Sequence, residues 1–162
     1  MPTERNDQRI RMTNAAFMPN IARLISEGHT VTLPLRGYSM RPFLEDGRDK
    51  ALLTKAGALK KGDVVLALTD RGSYALHRIV NIDGTHIILR GDGNIYCEHC
   101  HRENVIAIAT GFYRKDRKRM DSTEGCKWKI YSWLWTRLLP LRRYLLFLHR
   151  ILFRLPKRQQ TS

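Results

Sequence analysis

The sequence predicts a mainly β fold: a compact, coiled, mostly antiparallel β-domain with a short N-terminal helix before it and a C-terminal amphipathic helical tail after it. Three observations lead there. Six short runs rich in Val, Ile, Leu and Thr, at 30–35, 50–54, 63–69, 74–82, 86–89 and 104–110, follow one another with turn residues between them. Asp83-Gly84 separates two of these runs as a type I′ hairpin turn would, because that turn needs positive φ at both central residues. Charge then divides the chain. Residues 1–113 carry 15 Lys and Arg against 12 Asp and Glu, whereas residues 114–162 carry 14 against 3.

Before the first strand, residues 14–27 read as a helix with Phe17, Ile21, Leu24 and Ile25 on one face and Gly28 as its stop. Pro19 suits the first turn of a shorter helix. Lys61-Gly62-Asp63 and Asp70-Arg71-Gly72 are turns between strands. The charge run 114–119 reads as part of a basic linker. Beyond it, Leu141, Leu145, Leu148, Leu152 and Leu155 form one helical stripe, and Arg143, Arg150, Arg154 and Lys157 a second. Pro140 marks the start of this helix, and Trp128, Trp133 and Trp135 lie just upstream. The chain therefore divides into an N-terminal extension and helix (1–29), a β-domain (30–113), a linker (114–126) and a basic amphipathic tail (127–162).

A chain of 162 residues with 43% hydrophobic and 27% charged residues is globular in composition and large enough for one core. The β-domain is nearly neutral, which argues against a nucleic-acid surface there, since phosphate binding needs a basic face. Three cysteines, Cys97, Cys100 and Cys126, do not make a disulfide framework. No run resembles a secretory signal, and the most apolar stretch, 128–155, is broken by Arg137, Arg142, Arg143, Arg150 and Arg154. The expected location is therefore cytoplasmic or peripheral to a membrane. The tail's interleaved leucines and arginines point to an anionic membrane surface as its partner.

Chemistry gathers in three places. Ser39 stands between Gly37 and Pro42, just past a strand, where a tight turn exposes N–H groups around a hydroxyl. His77 lies on a strand whose alternation puts Ala75, His77 and Ile79 on one face. Asp92 sits in a Gly-rich loop after the strand that pairs with His77's own. A serine hydroxyl is a weak nucleophile until a neighbouring base takes its proton. Histidine titrates near neutrality, and a carboxylate that orients the ring completes such a set.

In order, Gly37-Tyr38-Ser39-Met40-Arg41-Pro42, Gly62-Asp63-Val64-Val65, His77-Arg78-Ile79-Val80 and Arg90-Gly91-Asp92-Gly93-Asn94 resemble the signal peptidase and LexA-like serine peptidase superfamily over residues 30–113. Where the bacterial signal peptidases and LexA-like autoproteases use a lysine base, this chain has His77, as the endoplasmic-reticulum and archaeal branch does. That branch carries Gly-Asp-Asn-Asn and then a pair of acids; here Cys97-Glu98 stands where the pair would fall. The resemblance implies Ser39 as nucleophile, His77 as base, and Asp92 or Glu98 as the third member, with Asp92 preferred as the acid in the motif. It also implies an oxyanion hole at the Ser39 N–H, and substrate contacts at Gly37, Tyr38, Met40 and Pro42. A histidine base needs far less pKa adjustment than a lysine one.

The expected activity is thus that of a serine endopeptidase acting on a peptide or protein near a membrane, with no cofactor and no metal. The alternative is a non-catalytic peptide-binding or membrane-associated module on the same fold. Cys97-Glu98-His99-Cys100-His101 matches a haem-attachment spacing and offers several metal donors. Four ligands so close together cannot readily surround one tetrahedral ion, however, so the match reads as chance.

Overall fold

The computed structural model describes residues 14–115, 117–138, 141, 144–148 and 151. Helix α1 (Asn14–Ser26) contains Pro19 within it and buries Met18, Ile21 and Ile25. Phe17, expected on that face, is exposed. The helix ends where Gly28 N–H donates to Ile25 O and His29 N–H to Leu24 O, the paired bonds of a Schellman cap.

Among the described residues eight strands follow: β1 (Val31–Pro34), β2 (Lys50–Thr54), β3 (Val64–Leu68), β4 (Tyr74–Asp83), β5 (His86–Arg90), β6 (Glu98–His101), β7 (Val105–Tyr113) and β8 (Met120–Ser122). All pairings are antiparallel, in the order β1-β2-β7-β3-β4-β5-β6, with β8 added to β7. Register shifts at Leu52/Leu53, Leu66/Ala67 and Ile79/Asn81 bend the strands, and the sheet curls into a half-barrel. The β4–β5 hairpin forms as expected, one residue later than read. Asp83 pairs with His86, so Gly84 and Thr85 are the turn's central residues, and Gly84 carries the positive φ of 57°.

The middle strand β3 is buried on both faces. Val64 and Leu66 join a large core with Ile21, Ile25, Leu53, Phe112 and Trp128, while Val65 and Ala67 join a smaller one with Ile79, Ile87, Leu89 and Cys100. His77 is paired with Val65, and Arg78 with Val64. The two neighbours therefore face opposite cores.

The region read as a linker and the start of the tail belong to this body. Strand β8 pairs with β7, and helix α2 (Cys126–Arg137) buries Trp128 and Trp135. Trp128 lies 4.7 Å from Phe112 and 5.0 Å from Phe43, ring centre to ring centre. These two tryptophans, expected just outside the domain, are part of its packing. Of the leucine stripe, Leu141, Leu145 and Leu148 are described, with 144–148 helical. Pro140, Leu152, Leu155, Arg143, Arg150, Arg154 and Lys157 lie outside the described residues.

Packing of this kind sets a stability expectation. Trp128→Ala should cost about 3–5 kcal/mol in urea unfolding. A chain ended at 121, which lacks both buried tryptophans, should show no cooperative thermal transition by circular dichroism.

Candidate active site

The site is held by two carboxylates that serve different partners. Arg78 is buried and forked onto Asp92, with Nε donating to Oδ1 at 2.9 Å and Nη2 to Oδ2 at 2.8 Å. Its Nη1 donates to Gly62 O at 3.0 Å and to Ser132 Oγ at 2.8 Å. Tyr131 Oη donates to Asp92 Oδ2 at 2.9 Å, and Trp135 Nε1 to Asp92 O at 3.0 Å. Burial opposes the charge on Arg78, but the Asp92 contact outweighs it and raises the guanidinium pKa above its ordinary value.

His77 turns the other way. Its Nδ1 lies 2.6 Å from Glu98 Oε2, and among the described residues neither buried atom makes a hydrogen bond of good geometry. The acid expected first for this role, Asp92, is therefore not the one placed against the imidazole. The reason is register. Ile79 is paired with Leu89, and Leu89 with Glu98, so Glu98 falls on the face of β4 that His77 shares. Arg78 is paired with Arg90, and Asp92 lies two residues past Arg90, which carries it to the other face. The Asp92 charge also raises the His77 pKa, by less than the Glu98 charge does.

The loop 91–94 nevertheless shapes the site. Gly93 N–H donates to Ser39 O at 2.7 Å. A Cβ on Gly93 would lie 2.5 Å from Tyr38 O, and one on Gly91 would overlap Ser39 O and sit 3.0 Å from Ser39 Cβ. Only glycine allows this close backbone approach. Beneath the loop before Ser39, Asp46 Oδ1 accepts from Gly37 N–H at 2.8 Å. The buried Asp49 accepts from Glu45 N–H at 2.9 Å and Lys115 N–H at 3.0 Å, and pairs with Arg48. The serine segment is thus tied down from both sides.

Ser39, His77 and Glu98 line one cleft of about 300 Å³. Gly37 and Met40, expected as substrate contacts, line it too; Tyr38 and Pro42 do not. Tyr38 is exposed, with the Arg41 guanidinium 4.0 Å above its ring. The strand-edge residues 33–36 and 73–76, together with Leu66 and Met18, complete most of the wall. Sequence reading passed over these, since a wall residue carries no chemical signature. Among the described residues, no group of three or more His, Cys, Asp or Glu is placed to hold a metal. Cys100 is buried, its thiol pushed up to about 11 by burial, and His101 packs on His86.

Burial lowers the His77 pKa and outweighs the attraction of Glu98, so the ring is held below its ordinary value. A neutral imidazole that carries its proton on Nδ1 has a free lone pair on Nε2. No protein-family pattern, curated protein or solved structure matches this chain.

Titration tests this electrostatic balance. The His77 ring protons, followed by NMR, should titrate with a midpoint below about 6.5. In Glu98→Gln, where the favourable charge is lost, the midpoint should fall further. Because folding depresses this pKa, the linked stability is present above about pH 6.5 and is lost as pH falls toward the folded midpoint.

Proposed function

We propose that the protein is a serine endopeptidase of the signal-peptidase-like type, with Ser39 as nucleophile, His77 as general base and Glu98 as the group that orients the ring. The observation that carries this reading is a buried histidine held by a carboxylate in the cleft that Ser39 also lines. In this mechanism Ser39 Oγ attacks the scissile carbonyl carbon while its proton passes to His77 Nε2. Glu98 stabilises the imidazolium that forms. The tetrahedral intermediate then collapses, the C–N bond breaks, and His77 returns the proton to the leaving amine. Water, with His77 again as base, cleaves the Ser39 ester and regenerates the hydroxyl.

Two features support a peptide substrate. Among the described residues, strand β1 has β2 as its single sheet neighbour, and β5 pairs with β4 only from Arg78 onward. The open edges of β1 and of 74–77 both border the cleft, and such edges accept an extended peptide through backbone hydrogen bonds. Met18, Leu33, Leu35, Met40 and Leu66 line the cleft, which favours apolar side chains on that peptide. Among the described residues, Ser39 N–H has no acceptor, which leaves it available to a developing oxyanion.

A fluorophosphonate probe should label the native chain at Ser39, as mapped by peptide mass spectrometry, and should not label Ser39→Ala. His77→Ala should label at least about a hundredfold more slowly. Failure of the native chain to label or to cleave any extended apolar peptide, while still binding such peptides, would replace this reading with that of a peptide-binding module.

Mutants separate the two carboxylates. Glu98→Gln should lose about 10²–10⁴ in turnover at nearly native stability. Asp92→Ala should instead lose about 3–5 kcal/mol in urea unfolding, because it strands the buried Arg78 charge.

A further inference from the structure

We infer that the outward face of α2, together with the exposed apolar residues of the helical segment 144–148, docks on an anionic lipid bilayer. Trp128, Tyr131 and Trp135 occupy one face of α2 at i, i+3 and i+7, packed on the domain or bonded to Asp92. Ile130, Trp133 and Leu134 occupy another at i, i+3 and i+4, and all are exposed, Ile130 by 65% and Trp133 by 59%. A surface helix of a soluble domain normally turns polar residues outward. This helix is apolar on both faces, and no described residue covers its outer one.

The pattern recurs downstream. Tyr144, Phe147, Leu148 and Ile151 stand at i, i+3, i+4 and i+7, and each is exposed, Phe147 by 64%. A run of exposed large apolar side chains marks an interaction surface. Charge identifies the occupant. After Glu124 the chain has nine Lys and Arg and no Asp or Glu. A second copy would bring the same positive charge and be repelled, whereas anionic headgroups complement it. The Arg137 guanidinium lies 5.0 Å from the Trp133 ring, so an apolar ring and a cation sit together, as suits the lipid–water boundary.

The docking is in-plane. Among the described residues, no helix is long and apolar enough to cross a membrane. The twelve residues of α2 span about 18 Å, against roughly 30 Å of hydrocarbon. Through Tyr131 and Trp135 the same helix grips the loop 91–94, so lipid on its outer face would hold the folded domain rather than a loose tail. This inference does not depend on the peptidase reading.

The test is sedimentation of the full chain with vesicles of mixed phosphatidylglycerol and phosphatidylcholine, and of phosphatidylcholine alone, at low and high salt. Binding to the anionic vesicles should exceed binding to the neutral ones by at least about tenfold and weaken with salt, each basic residue near the surface contributing about fivefold. The double variant Trp133→Ser, Leu134→Ser changes only exposed side chains and should keep the native circular dichroism while binding at least about tenfold more weakly. Ser39→Ala should bind as the native chain does. Equal binding to both vesicle types, or unchanged binding by the double variant, would overturn the inference. So would vesicle-free self-association that the double variant abolishes, which would make a second copy the occupant.

Discussion

The Arg78–Asp92 pair is the constraint on which the rest of the molecule depends. Both side chains are buried, and removing either would leave the other as an unpaired charge in the core. Because the guanidinium and carboxylate have further hydrogen-bonding capacity, the pair recruits Gly62, Ser132 and Tyr131, while Trp135 bonds the main-chain carbonyl of Asp92. One ion pair thereby joins strand β4, the turn before β3, the loop after β5 and the C-terminal helix. Helix α2 is part of the fold because it satisfies polar atoms that the sheet alone leaves open, as well as covering Phe43 and Phe112.

Adjacent residues on β4 divide the work. Arg78 faces the large core and fixes the architecture; His77 faces the other way and meets Glu98. The strand's alternation lets the Arg78–Asp92 ion pair and the His77–Glu98 contact stand side by side without sharing a carboxylate. They remain linked through the loop 91–94: Asp92 anchors it on one side, while Gly91 and Gly93 press against the backbone around Ser39 on the other. Under the proposed mechanism, the structural pair positions the nucleophile and the Glu98 pair tunes the base. In that mechanism burial, which lowers the His77 pKa, and the Glu98 carboxylate, which orients the ring, act on the base together.

Much of this was legible in the sequence. The six strands first read all occur, because alternating apolar residues and turn residues report local geometry directly. The order of the Ser39, His77 and Asp92 segments marked the region that forms the cleft wall and its supporting loop. The choice between Asp92 and Glu98 was not legible. It turns on strand β6, whose Glu-His-Cys-His run lacks a strand-like apolar pattern, and on a register across three strands that no local spacing encodes.

The sequence by itself determined the mainly β class, the helix stop at Gly28, the β4–β5 hairpin and the identity of the histidine beside the cleft. Each follows from neighbours along the chain. Tertiary structure alone decided which acid meets His77, that Gly91 and Gly93 are needed for contact with Ser39, and that Trp128 and Trp135 face inward while Trp133 faces out. These depend on pairing register and close approach between segments far apart in sequence, where a one-residue shift would exchange the two faces of a strand and move every partner with it.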